Sequence, residues 1–454
     1  MLAVMTFGSL MTIVTVSLEQ IAVDLESSRA TLTWMITGLM LAMAILTPLA
    51  GKVGDVKGHR RMFLVGLGAG TATTLASALA WDPISMIVLR VLYGATGALV
   101  VPNGMALMVH AYGMEHRATA MGWFQFAMTG APTVGLVVGG PMIDVVGWRV
   151  VFVGFAAVSF VALVAGVLVV RPSKRTEAVS IDYGGAGALG VAVLAGLLAL
   201  TRASALVRDG KGLQALVSPA TVALIGVCVI AIGVFIRIEN RTPQPMLKLQ
   251  YFRRRSFTLP MVASSLAQFA YMGGFVVTPA MLGQIYGLEV GAIALLMAPR
   301  PAAFSLSSPV GGYLATRWGE RQPIVLGGAL MVVAMASFAG ASLMSKTHLT
   351  GLSIVALGLV LTGLASGVSQ PAVAAAVVGA VDSEDIGIAG GMNQQMMFIG
   401  IVSGIQTLNV FVGDDASSGQ FATAFVLGGA VAMVGLLAAI SMPRLGIDHK
   451  TSVR

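Results

Sequence analysis

Charge is what this chain has least of. Only 10% of its 454 residues are Asp, Glu, Lys or Arg, against 57% hydrophobic, whereas soluble domains carry about 25% charged residues. A soluble fold could not hide that much apolar surface, so the chain is read as an integral membrane protein. Alternating strand patterns are also missing, which excludes a membrane barrel. Cysteine occurs once, at Cys228 inside an apolar run, so no disulfide forms within the chain. There is no Gly-x-x-x-x-Gly-Lys-Ser/Thr phosphate loop and hence no ATP motor. The five histidines, His59, His110, His116, His348 and His449, are scattered near the ends of apolar runs without metal-ligand spacing. No metal, no cofactor and no enzymatic activity are expected. The first apolar run leads into Glu19-Gln20 rather than a small-residue cleavage site, so no cleavable signal peptide is expected.

What is present is a series of apolar runs of about 20 residues, the length that crosses a bilayer as a helix. Fourteen are read, at 2–22, 32–50, 62–80, 84–108, 118–142, 149–170, 184–201, 219–237, 257–283, 291–315, 323–344, 351–378, 387–411 and 421–442. The expected fold class is an all-α polytopic membrane protein, and the 56 glycines suit close helix packing in lipid. With both termini on the cytoplasmic side, the inside segments hold most of the 27 Lys and Arg residues, and only Arg90 and Arg300 are left within spans. That asymmetry obeys the positive-inside rule. The net charge of +8 clusters at span ends, which argues against a nucleic-acid partner.

The two halves of the chain echo each other. Gly51-Lys52-Val53-Gly54-Asp55-Val56-Lys57-Gly58-His59-Arg60-Arg61 sits between two apolar runs, a pattern expected of a tight loop at the membrane surface. It returns 261 residues later as Gly312 to Arg321, with Thr316 in place of Asp55. At an offset of 269, Gly94, Pro102, Glu115, Ala120 and Gly122 correspond to Gly363, Pro371, Glu384, Ala389 and Gly391. Parallel six-helix repeats imply an N-terminal bundle over 1–175, a linker over 176–250 carrying two extra spans, and a C-terminal bundle over 251–454.

These residues carry a resemblance to the major facilitator superfamily of secondary transporters. Gly51, Asp55, Gly58 and Arg60/Arg61 match its loop Gly-x-x-x-Asp-x-x-Gly-Arg-Lys/Arg, with His59 in place of a usual basic residue. Arg90 with Gly94 resembles the span-4 Arg-x-x-x-Gly. Gly135, Gly139 and Gly140, followed by Gly147-Trp148-Arg149, resemble the span-5 antiporter motif. Asp182-Tyr183-Gly184-Gly185 and Glu239 with Pro245-Met246-Leu247 resemble the two ends of the inserted spans in the fourteen-span drug:proton antiporter branch. Two departures stand out: Leu10 occupies the position of that branch's buried span-1 aspartate, and Leu136 that of the span-5 proline.

Charges within a bilayer cost a few kcal/mol even on lenient scales, so each is a functional candidate. Glu19 shares a helical face with Gly8, Thr12 and Thr15. It reads either as a titrating proton carrier, held ionised if paired with Arg90, or as an acid snorkelling to headgroup water. The resemblance ties Arg90 to proton transfer; the alternative is a structural buried hydrogen-bonder. Arg300, in Pro299-Arg300-Pro301, contacts substrate or a gate, or else braces a kinked helix. Asp55 with Arg60 and Arg61 reads as a gate latch that accepts from a helix N-terminus or pairs with Arg117, or else as a plain topological anchor. Thr12, Thr15, Gln125, Gln268, Tyr271, Gln370 and Asn393 are candidate cavity residues, with interhelical hydrogen bonding as the alternative.

By resemblance, the chain is expected to be a multi-pass transporter of the bacterial inner (plasma) membrane. It would export small amphipathic compounds by proton antiport, a multidrug efflux activity. Alternatives are a lipid or anionic metabolite exporter of the same fold, or a transport-dead sensor or scaffold. The expected partners are a small-molecule substrate, protons and the lipid bilayer, with the protein a monomer.

Overall fold

A backbone in hydrocarbon must satisfy its own N–H and C=O groups, and in a computed structural model of the chain every expected span is helical. The structure describes residues 1–443 except 28, 33, 171–181, 208–216, 243–244, 246–247, 345–348 and 413–415. In chain order the helices are α1 (Leu2–Val16), α2 (Leu18–Asp24), α3 (Arg29–Leu32), α4 (Trp34–Lys57), α5 (His59–Ala78), α6 (Pro83–Tyr112), α7 (Arg117–Val169), α8 (Tyr183–Leu206), α9 (Pro219–Arg241), α10 (Arg255–Gln284), α11 (Val290–Met297), α12 (Pro299–Trp318), α13 (Arg321–Ser342), α14 (Leu349–Gly379), α15 (Ile386–Leu408) and α16 (Ser418–Ile440). No strand occurs among the described residues. Among them, nine helical segments are long and apolar enough to cross a membrane: α4, α6, residues 145–169 of α7, α8, α9, α10, α13, α14 and α16.

Several boundaries differ from the sequence reading, each for a local reason. The stretch 2–22 breaks at Ser17, whose hydroxyl donates back to Ile13 O at 2.7 Å, a bond that bends helices. The stretch 291–315 breaks at Ala298, because Pro299 has no amide hydrogen to continue α11 and instead opens α12. The motif expected to be a loop is mostly helix. Gly51 to Lys57 are the last turns of α4, and only Gly58 interrupts it, at φ 94. A positive φ there costs glycine nothing. At the repeated position, Gly319 has φ 82. The expected link between 118–142 and 149–170 shrinks to one non-helical residue, Gly147, at φ 78 and ψ 157.

Burial follows the same logic. The largest apolar core gathers side chains from α1, α2 and α4–α7, with a few from α8, α14 and α15. A second joins α10 to α16, and a third lies between residues of both parts. Leu10 sits in the first core, 2% exposed, so the position of the family's span-1 acid is filled by packing. α9 packs on α8 and buries only Thr221, Ala231, Phe235 and Glu239 along its length, so most of its apolar surface faces outward. α8 rests on both α4 and α15, and Ser204 on α8 donates to Gln406 Oε1 on α15 at 2.8 Å.

Candidate functional site: a polar seam at two repeated helix crossings

The internal repeats meet crosswise. α4 crosses α15, and α12 crosses α7. At the first crossing a Cβ on Gly51 would collide with Gly387 O, and one on Gly391 would lie 2.7 Å from Thr47 O. At the second, a Cβ on Gly312 would lie 2.5 Å from Ala118 O, and one on Gly122 would lie 2.8 Å from Ser308 O. Gly51 and Gly312 are equivalent at the first sequence offset, Gly122 and Gly391 at the second. The glycines recur because both crossings bring backbone against backbone, which leaves no room for a side chain.

The polar locks at the two crossings differ. Asp55 Oδ1 accepts from Gly387 N at 2.8 Å and Oδ2 from Ile388 N at 2.9 Å. These are first-turn amides of α15, which lack intrahelical partners and lie at the positive end of the helix dipole. The equivalent Thr316 faces Thr119 through hydroxyls 3.1 Å apart. Beside it Arg117 Nη2 donates to Glu320 Oε1 at 2.6 Å, and Nε to Ala375 O at 3.1 Å. Arg117 therefore meets Glu320 and not Asp55. Of the two alternatives for Asp55, the helix N-terminus is the one the geometry realises.

A second charged cluster abuts the first crossing. Lys52 Nζ lies 3.0 Å from Asp385 Oδ1. Asp385 Oδ2 in turn takes Lys248 Nζ at 2.8 Å and the Tyr251 hydroxyl at 2.7 Å. That hydroxyl also lies 2.8 Å from Asp382 Oδ2, and Arg254 Nη1 donates to Ala380 O at 2.8 Å. The segment following α9 is thus fastened to the loop between α14 and α15. Burial and the Asp385 and Asp382 contacts push the Tyr251 phenol up to about 12. Burial works against Asp385, yet hydrogen bonds from Lys248 and Tyr251 and the Lys52 charge hold it below the usual carboxylate value. The hydrogen bond to Asp385 is the leading reason Lys248 is raised above its own.

Arg60 and Arg61 stand apart from this seam. Arg60 Nη2 donates to Val167 O at 2.7 Å, and the equivalent Arg321 Nη2 donates to Ile440 O at 2.5 Å. Each caps the C-terminal carbonyls of a neighbouring helix, where a cation is favoured. Arg61 is exposed. At the far end of the molecule Trp148 Nε1 and Arg149 Nη1 both donate to Asp24 Oδ2, at 2.8 and 2.9 Å, a tie contained within the first repeat.

The interior candidates are buried. Arg90 is 0% exposed; it donates to Ser77 Oγ and lies 4.9 Å from the Tyr93 ring centroid and 5.0 Å from that of Phe152. Its Nε and Nη1 find no hydrogen-bond partner among the described residues. Its described contacts thus include no acid. Arg300, 2% exposed, stacks 3.6 Å from the Tyr271 ring centroid, donates to Tyr271 O, and its Nε has no hydrogen-bond partner among the described residues. Gln268 Oε1 and Asn393 Oδ1 are buried without hydrogen-bond partners among the described residues, Gln370 pairs with Ser264 at 3.2 Å, and Gln125 is half-buried. The side chains of Glu19, Thr12 and Thr15, and the surroundings of Gly135, Gly139 and Gly140, lie outside the described residues.

Sequence reasoning missed Lys52, Asp385, Lys248, Tyr251, Glu320 and Asp24. Lys52 and Glu320 lie inside the repeated motif, and an acid placed one residue ahead of a helix, as Asp385 is, was a readable cue. The other three carried no signal in the sequence.

Crossed repeats of long apolar helices, with charges confined to the ends and to a few buried arginines, define a polytopic membrane transporter. The family model of the Major Facilitator Superfamily matches residues 1–405, and the chain belongs to that family of transporters, which are not enzymes. It is 29% identical over 402 residues to the tetracenomycin C resistance and export protein of Streptomyces glaucescens, covering 88% of this chain and 72% of that one. It is 25% identical over 413 residues to the multidrug transporter protein MdtP of Bacillus subtilis, covering 91% and 73%. Among solved structures, the proton:xylose symporter XylE superposes with a TM-score of 0.66 at 12% identity, covering 96% of this chain and 92% of that one. The human organic anion transporter MFSD10 superposes with a TM-score of 0.61 at 14% identity, covering 95% and 98%.

Proposed function

We propose that this protein exports small amphipathic compounds across the bacterial plasma membrane in exchange for protons. Two six-helix bundles, 1–175 and 251–454, alternate access around a central site, and α8 and α9 in the linker 176–250 bring the spans to fourteen. The Asp55 face and both termini are cytoplasmic, on the positive-inside argument. One observation carries the reading. The described ion pairs between the repeats, Lys52–Asp385 and Arg117–Glu320, gather at one end together with the Asp55 tie to α15. At the other end the described ion pair, Arg149–Asp24, stays within one repeat. A transporter closed toward one side and free to part at the other has this distribution of ties.

In this reading Glu19 and Arg90 handle the coupling proton. Thr12, Thr15, Gln125, Gln268, Tyr271, Arg300, Gln370 and Asn393 face the cargo, and Gly135, Gly139 and Gly140 make up the antiporter motif. The two buried guanidiniums favour anionic or neutral cargo over lipophilic cations. The test is transport in proteoliposomes under an imposed pH gradient, offering tetracenomycin C, a lipophilic cation and an amphipathic carboxylate. Uphill movement of at least one, abolished by a protonophore, is expected. Downhill leak alone, with no response to the gradient, overturns proton antiport.

A further inference from the structure

Asn103, on α6, is fixed in orientation by its own donors. Its Nδ2 reaches Ala50 O at 3.2 Å and Leu99 O at 2.8 Å. Backbone carbonyls only accept, so the amide nitrogen faces them and Oδ1 faces the other way. Oδ1 lies 3.0 Å from His59 Nδ1. An amide oxygen also only accepts, so the proton of that contact belongs to Nδ1. A neutral His59 held in this tautomer presents a bare lone pair at Nε2. Yet Nε2 lies 3.4 Å from Asp55 Oδ1, an oxygen already accepting from Gly387 N. Both side chains are buried, His59 at 5% and Asp55 at 6% exposure. Two acceptors facing each other in a dry site repel. The contact becomes attractive once a proton lies between Nε2 and Oδ1.

We propose that His59 and Asp55 form a proton-binding site whose single shared proton is taken up when the seam between α4 and α15 closes and is given back to cytoplasmic water when it opens. The proposal rests on the alternating-access reading above. His59, Asp55 and Asn103 all belong to the first repeat, and the second repeat contributes the two α15 amides. Closure therefore removes water from a pair that already exists. In the open state water bridges Nε2 and Oδ1 as donor to both. In the closed state that bridge is gone and a proton replaces it. Only O–H and N–H bonds form and break, and the proton is exchanged with water.

The neighbouring charges leave the pair as the group that titrates. Asp55 is faced by Lys52 on its own helix and by Asp385 ahead of α15, and these two are paired with each other. His59 is faced by His110 on α6, an exposed ring with its centroid 5.5 Å away. Arg60, on the helix His59 opens, is directed to Val167. A fixed cation, usual at the position of His59 in the motif this stretch resembles, would satisfy Asn103 and Asp55 at every pH. Histidine satisfies both only when a proton is bound.

The experiment places spin labels at Lys57→Cys and Glu384→Cys in a Cys228→Ser background, in lipid nanodiscs. Both positions are exposed and flank the α4–α15 crossing. Distances are read from pH 6 to pH 9. The closed population should fall as pH rises, with the open-to-closed ratio climbing by at most about tenfold per pH unit, the limit for one proton. His59→Arg should stay closed with a flat profile, and His59→Gln, which cannot titrate, should be flat as well. His110→Gln should keep the slope. A flat wild type overturns the proposal, as does a wild-type slope in both His59 variants or a slope abolished by His110→Gln alone. Uphill transport judges the antiport reading separately. A wild type that titrates at the seam but shows no pH-driven transport refutes that reading and leaves this site standing. Flat distances with intact uphill transport refute the site alone.

Discussion

Asp55→Asn is the perturbation whose size the geometry states best. The carboxylate accepts two α15 amides at 2.8 and 2.9 Å, one on each oxygen. Hydrogen bonds to charged acceptors contribute about 1.5–3 kcal/mol each, net of water, and neutral ones about 0.5–1.5. Asparagine keeps one oxygen acceptor and turns an NH2 toward the other N–H. One bond is lost outright, the other drops to neutral strength, and the charge at the helix dipole disappears, a further ~0.5 kcal/mol or more. The closed state should lose about 3 kcal/mol relative to the open one, roughly a hundredfold in the ratio. A seam closed about 99 times in 100 would then be open about half the time. The label pair at residues 57 and 384 reads this directly, as a second, longer distance of comparable weight in Asp55→Asn. Transport should slow while cargo affinity changes little, if the lost charge acts on the state equilibrium alone. A distance distribution unchanged from wild type would show that Asp55 only marks topology, and the latch argument would fall.

Three further outcomes follow from the same contacts. Gly51→Ala and Gly312→Ala put a methyl into opposing backbone at the two crossings, and each should weaken closure by about 1–3 kcal/mol, seen as a raised open fraction with the same kind of label pair. Tyr251→Phe removes a phenol held by Asp385 and Asp382; because that phenol is raised to about 12, it stays protonated through pH 10, and the mutant should lose a tyrosine ionisation step only above that pH by ultraviolet difference spectroscopy. If span 1 carries the coupling proton, Glu19→Gln should abolish uphill pH-driven transport while leaving downhill exchange intact, since the neutral amide mimics the protonated acid; normal uphill flux in that mutant would move the carrier elsewhere.

The helices were legible because hydropathy reports them directly: a run such as 421–442 needs no partner to declare itself. The repeats were legible through residues that tolerate no substitute, the glycines of both offsets, and those glycines mark the two crossings. Asp55 could be read as latch-like because an acid in that motif has few other uses. Its counterpart could not, since a backbone amide of Gly387 looks like any other in sequence. The partners of Arg117, Lys52 and Lys248 were hidden for a related reason. Lys52 and Asp385 are 333 residues apart and each, read alone, is an ordinary charge at a helix end. The helical course of Gly51 to Lys57 was missed because charges and glycines suggest a loop, whereas α4 simply continues until Gly58 turns it. The shared proton depends on the orientation of one amide, Asn103, which only its carbonyl partners reveal.

The placement of α8 has a mechanical consequence. It lies along both α4 and α15, the helices that must part if this end of the molecule opens as proposed, and it carries α9 on its outer side. Any separation there forces α8 to slide on one of the two or to let go of it. α9, apolar almost all round, must be dragged with it through the surrounding acyl chains. The work of opening is then shared with the lipid, so the speed of the cycle should respond to bilayer thickness and lateral pressure. On the proposed alternating-access reading, α8 and α9 would act as an outrigger through which the membrane loads the gate.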